Sequence, residues 1–422
     1  MTKPERLPPG TRRAFVLACD SQYFYDRIKL MRTGITTVPL DTGRCPPWLF
    51  ERMKKLSRAI VLAIVEEFGP EEFLKRVADP AWFQSLGCVI GFDWNSSGLT
   101  TTTLGALKEG VRGIERDLEI FICGGKGRTS LKTPEQIQKW GEWLGLKENL
   151  VYKLVYASKL SAKVDNSALQ DGYTLYHHNL IFTKNGKWVV VQQGMNEKNS
   201  TARRYHWLSD RVKNFVEEPH SGIVTQRKTK PLNLVAQKSR EVRQISTEMV
   251  REEPKTFLKD LNLVLRSAVI TRRSPCYYSA QNSLLKQKRI PGFCEVELNN
   301  VEFFWHPVVK EKFDLGRLKR TIESAHFLKP KNFEELVSIK GVGPKTLRAL
   351  TLVAELIYGK KPSYEDPARY SFAHGGKDGT PYPVNRPVYD KTIEVIEKAI
   401  KKAKISLKEK EEAVKRLKTG FL

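Results

Sequence analysis

In this chain of 422 residues, side chains suited to chemistry crowd into positions 153–210. Lys163 and Asp165, Gln170 and Asp171, His177 and His178, Gln192 and Gln193, and the run Arg203 to His206 all fall there. A lysine that has shed its proton attacks an aldehyde and forms a Schiff base. A carboxylate or imidazole can then take a proton from the neighbouring carbon, and β-elimination follows. On that logic Lys163, beside Asp165, is one candidate nucleophile, and Lys126 in GGKGRTS is another. Asp165, Asp171 and His178 are the candidate proton acceptors. Desolvation or adjacent cations would lower the amine's pKa for this task. Two other readings stay open: a hydrogen-bonded polar set closing the end of a sheet, or a metal site from His177 or His178 with His206 and a carboxylate. For the metal site no HExxH-like spacing exists.

Positioning these groups falls to a β-hairpin. YTLYHHNLIF and KWVVVQQ flank Asn185-Gly186, the strongest short hairpin signal. A two-residue type I′ turn would set Phe182 against Val189, Leu180 against Val191 and His178 against Gln193. The turn end is then apolar and the open end polar on both faces. LEIFICGG (118–125) reads as a buried strand, and after GKGRTSLK a helix is expected with Thr133 as cap and Pro134 first. Further upstream, Pro46, Pro47, Pro70 and Pro80 sit where first helical turns tolerate proline, and Gly69 reads as a stop. The fold class is α+β: mainly helical, with a small antiparallel sheet.

Lys and Arg number 72 and Asp and Glu 47, a formal charge of +25. That surplus points to a polyanionic partner, of which nucleic acid is the commonest. Residues 31–150 hold 16 basic and 15 acidic side chains, whereas residues 151–422 hold 50 and 29. The anion footprint therefore belongs to the second part. Six cysteines without CxxC spacing fit a reducing cytoplasm, and nothing approaches the roughly 20 apolar residues of a membrane span. The expected organisation is an extension (1–30), an α+β domain carrying the chemistry (31–225), a basic connector with a helix near 237–251 (226–328), and a C-terminal region (329–422).

The most specific local motif is NFEELVSIKGVGPKTLRALTLVAELIYG (332–359). Asn332 with Glu335 makes a capping pair, a GVG turn follows, and Leu347, Leu350, Val353 and Leu356 mark a second helix. This resembles a helix-hairpin-helix, which grips the DNA backbone without reading sequence. Gly341 and Gly343 let the backbone approach a phosphate, and Lys345 and Thr346 add a cation and a hydroxyl. Arg203, Arg204 and Lys377, the last in FAHGGKDG, are further candidate DNA contacts. The motif is also similar to DNA glycosylases with lyase activity, where the position of Lys345 can carry a catalytic lysine. The acidic residue of that pattern is not clearly present here, so Lys345 reads first as a phosphate contact.

RTGITTVPLDTG, PPWLFERM, FGPEEFL, GGKGRTSLKTPE, LSAKVDNSALQDGY, VVVQQGMNE, ARRYHW and FAHGGKDG together resemble one family over nearly all of residues 31–400. It is long catalogued as a domain of unknown function, mainly in thermophilic archaea, and associated with abasic-site (AP) lyase activity. The resemblance implies a DNA-repair role and an architecture unlike a standard DNA glycosylase. The first function expected is an AP lyase without metal or cofactor, acting on abasic or damaged duplex and located with the nucleoid in the cytoplasm. A metal-dependent structure-specific nuclease and a non-catalytic DNA-binding repair protein are the competing functions.

Overall fold

Pro47, with no N–H to lose, opens the first helix of the computed structural model, which describes residues 45–92, 96–225, 228–272, 313–368 and parts of 394–419. Lys377 and residues 1–30, both named above, lie outside the described residues. Three proline-initiated helices follow one another: α1 (Pro47–Phe68), α2 (Pro70–Val77) and α3 (Pro80–Val89). Gly69 ends α1 at φ 83°, as expected of a stop. Then come α4 (Gly98–Val111), a single helical turn α5 (Glu115–Leu118), and β1 (Ile120–Lys126).

A 3₁₀ turn over Gly127–Lys132 runs straight into α6 (Thr133–Leu144). Thr133 is therefore not a cap. Its hydroxyl donates backwards to the Ser130 carbonyl at 2.6 Å, because the 3₁₀ turn has already started the winding. The long helix α7 (Glu148–Ser167) precedes strands β2 (Leu169–Gln170), β3 (Thr174–Thr183), β4 (Trp188–Asn196), β5 (Thr201–Leu208), β6 (His220–Thr225) and β7 (Leu232–Asn233). Helices α8 (Arg240–Arg251), α9 (Pro254–Arg272), α10 (Leu315–Leu328), α11 (Phe333–Ser338), α12 (Pro344–Leu356) and α13 (Leu407–Thr419) complete the described chain.

The main sheet has the order β1-β3-β4-β5-β6 and is antiparallel throughout. Its central hairpin departs from the expected register by one residue. Phe182 pairs with Trp188, Leu180 with Val190 and His178 with Gln192. The loop has three residues, closed by Thr183 N–H to the Lys187 carbonyl, and only Gly186 takes a positive φ, 82°. A type I′ turn needs positive φ at both centres; here the glycine alone supplies it, the pattern of a type I turn followed by a bulge.

Both faces of the sheet are covered. Phe121, Leu180, Phe182, Val190, Tyr205 and Trp207 face a core shared with α6 to α12. Ile120, Ile122, Ile181, Val189, Val191 and Leu208 face the other way, against α1 to α4 and α13. The first core draws on residues from Phe121 to Ala368, so segments expected as separate regions contribute to one apolar interior. None of the described helices is long and apolar enough to cross a membrane.

Candidate functional site

The open end of the sheet carries the polar residues, as the hairpin gradient implies, but it is sealed. On the face toward α7, Gln192 donates from its amide nitrogen to Asp165 and to the Ser161 carbonyl. Its oxygen therefore faces His178 Nδ1 at 2.6 Å and accepts from it, which leaves His178 Nε2 to accept from the Ser158 hydroxyl at 2.9 Å. Asp165 also accepts from Trp207 Nε1 at 3.0 Å and from His220 Nε2 at 2.6 Å. Ser158, His178, Gln192, Asp165 and His220 thus form one chain of hydrogen bonds. Ser158, His178, Gln192 and Asp165 are all buried.

Asp171 belongs to a second buried group. Tyr205 donates to it at 2.7 Å, and the guanidinium of Arg203 lies 3.2 Å away and also pairs with Asp366. Burial pushes the Asp171 carboxyl up to about 6, against the pull of Arg203. On the opposite face of the sheet Arg204 is held by Gln84, Thr100, His206 and the Pro80 carbonyl. Neither ring nitrogen of buried His177 makes a hydrogen bond of ordinary geometry, and desolvation lowers this residue to about 3.

The expected site residues fall in different surroundings. Asp165, Asp171 and His178, expected as proton acceptors, lie in the interior and are bonded to other buried groups. Arg203 and Arg204, expected as DNA contacts, are 0% and 3% exposed and have partners inside the protein. Lys163 does not pair with Asp165: two residues apart on α7, the side chains leave on different sides of the helix. Lys126 is exposed at the end of β1, with its amine 6.0 Å from the centre of the Tyr176 ring, on the face away from Asp165. Among the described residues no three His, Cys, Asp or Glu side chains gather as metal ligands.

A different place collects charge in the open. The turn between α11 and α12 lies against the start of α10, and together they frame a groove of about 410 Å³. Asp314, Arg317 and Thr321 line it from α10, and Gly341, Gly343, Lys345 and Thr346 from the turn and α12. Gly341 has φ 96°, a conformation that disfavours any side chain, and it lets the chain swing into α12. The first N–H groups of α12 have no partner within the helix, which makes its start a ready anion site. Between Asp314 and Arg348 the sequence has eight basic and four acidic residues. Asn332 caps α11 by accepting from Glu335 N–H at 2.9 Å, while the Glu335 carboxylate reaches back to Lys331 N–H rather than to Asn332.

Helix α7 and the short strand β2 after it hold this turn in place through three contacts. Tyr156 donates to Glu334 at 2.7 Å, Lys163 Nζ donates to the Ile339 carbonyl at 2.8 Å, and Gln170, just past the helix, donates to the Pro344 carbonyl at 2.8 Å. Desolvation lowers the Lys163 pKa. Lys163 is thus the one interior-facing candidate that the fold brings to the turn, and it arrives as a brace.

Sequence reasoning missed Asp314 and Arg317, 31 and 28 residues before Lys345, since only tertiary packing unites them. It also missed Lys108, whose amine binds the Gly124 carbonyl at 2.7 Å and Gln136 at 2.9 Å. Gly124 itself has no alternative: a Cβ there would lie 2.1 Å from the His178 carbonyl oxygen.

A five-stranded antiparallel sheet enclosed by helices on both faces, with an open, charged groove at a helical turn, defines a mixed α+β protein. The chain belongs to the family described as Protein of unknown function (DUF763), which matches residues 34–384. No curated protein and no solved structure matches it.

Proposed function

We propose that this protein is a DNA-repair enzyme, an AP lyase that opens abasic sites by Schiff-base formation and β-elimination. The α11–turn–α12 unit is read as a helix-hairpin-helix that holds the sugar–phosphate backbone. The observation that carries this reading is the groove, in which the free start of a helix, Arg317, Lys345 and the carboxylate of Asp314 meet in the open. Cations and helix N–H groups suit a phosphate. An exposed lysine next to them suits an aldehyde carbon one sugar away. The +25 charge supports a nucleic-acid partner and a nucleoid location.

The test is strand cleavage of a duplex carrying one abasic site, in EDTA. A β-elimination product, with its unsaturated sugar on the 3′ end, is expected. Cleavage that requires a divalent ion and leaves a 3′-hydroxyl would replace this reading with a nuclease. Tight binding without cleavage would leave a DNA-binding repair protein.

A further inference from the structure

We infer that Asp314, from α10 and outside the hairpin, is the base that completes the lyase site around Lys345; the inference rests on the lyase reading above. The motif at 332–359 lacks a clear acidic partner for its lysine, and the groove supplies one from a remote part of the chain. Asp314 Oδ1 caps α10 by accepting from Arg317 N–H at 2.9 Å. Among the described residues Oδ2 accepts no hydrogen bond, so that oxygen is available to the groove. Thr346, only 5% exposed, lines the same groove, and its hydroxyl has no protein partner among the described residues. That hydroxyl and the adjoining helix N–H groups would take a phosphate oxygen, with Arg317 on the opposite wall as a second cation.

The other lysines fit less well. Lys163 is committed to the Ile339 carbonyl, and Lys126 stands at the end of β1 outside the groove. In the proposed sequence the Lys345 amine, its extra proton given to solvent, attacks C1′ of the ring-opened sugar. Water leaves as the carbinolamine collapses, and a C1′ iminium remains. Asp314 removes a proton from C2′, the electron pair forms the C2′–C3′ double bond, and the 3′ phosphate departs with the C3′–O bond electrons. Water then hydrolyses the conjugated imine and returns free Lys345.

Borohydride trapping on an abasic duplex, followed by peptide mapping of the adduct, tests the assignment. The adduct is expected on Lys345, and Lys345→Ala is expected to trap at least about 100-fold more slowly. Asp314→Asn is the informative variant, because asparagine caps a helix as well as aspartate and the fold is kept. It should still form the adduct within about twofold of wild type, yet cleave the strand roughly 100-fold more slowly, the usual scale of a lost general base. An adduct on Lys163 or another lysine, or Asp314→Asn cleaving at the wild-type rate, would overturn the inference while leaving the lyase reading standing. No adduct with the wild-type protein would remove the lyase reading itself.

Discussion

Lys163 shows how far a residue's type can be separated from its use. Burial desolvates its amine, the property wanted of a nucleophile, yet that amine is spent on the Ile339 carbonyl at the root of the turn. Lys163→Met keeps the stem and removes the donor, leaving the Ile339 carbonyl with only the Val342 N–H at 3.3 Å, at a cost of about 0.5–1.5 kcal/mol. Expected is a matching fall in unfolding free energy with weaker DNA binding, while Schiff-base trapping at saturating DNA persists; loss of trapping would restore Lys163 as nucleophile. Buried histidines give a second residue-scale prediction. Desolvation lowers His177 to about 3 and also lowers His178 and His206. Each is neutral when folded, so its stabilising contribution is present above the unfolded pKa of about 6.5 and is lost as pH falls, at up to about 1.4 kcal/mol per pH unit. Asp171 has the opposite sign: raised to about 6, it favours the fold below its unfolded value and loses that contribution as pH rises through about 6. Three histidines outweigh one aspartate between pH 4 and 6. Urea midpoints should therefore drop between pH 7.5 and 5, and an unchanged or higher midpoint at pH 5 would show that these imidazoles are not held neutral.

Among the elements, the proline-started helices and β1 were legible because their signals are local: proline at a first turn, glycine at a stop, an apolar β-branched run. Strand β5 was not. TARRYHWL places Arg203, Tyr205 and Trp207 on one face and Arg204, His206 and Leu208 on the other, and every residue is buried. Burial on both faces erases the polar–apolar alternation that marks a strand. The hairpin register slipped by one because Asn-Gly also serves a three-residue loop in which only the glycine needs positive φ. The α11–α12 turn makes the element-scale prediction. At Gly341 an added Cβ would find room, its nearest neighbour Thr321 being 3.6 Å away, so the cost of Gly341→Ala is the backbone at φ 96°. About 1–2 kcal/mol of strain is expected there. DNA affinity should fall roughly tenfold or more while the sheet keeps its fold. Unchanged affinity by fluorescence anisotropy would mean that the turn does not hold the backbone.

At the scale of the whole molecule, charge and core divide the work. The near-neutral segment 31–150 supplies α1 to α6 and β1, and the cationic remainder carries the groove. That division was readable from composition. The site was only half readable: Gly341, Gly343, Lys345 and Thr346 announce themselves by spacing, whereas Asp314 and Arg317 join them only because α10 packs beside the turn. The polar residues at 153–210 form a buried hydrogen-bond network, and composition does not tell an interior chain of this kind from an open pocket. One measurement tests the central claim most directly: sodium borohydride added to the protein and an abasic duplex in excess EDTA, read on a denaturing gel. The account predicts a covalent protein–DNA band that appears only with the aldehydic sugar and borohydride together. Strand cleavage in the same mixture with no such band would contradict it.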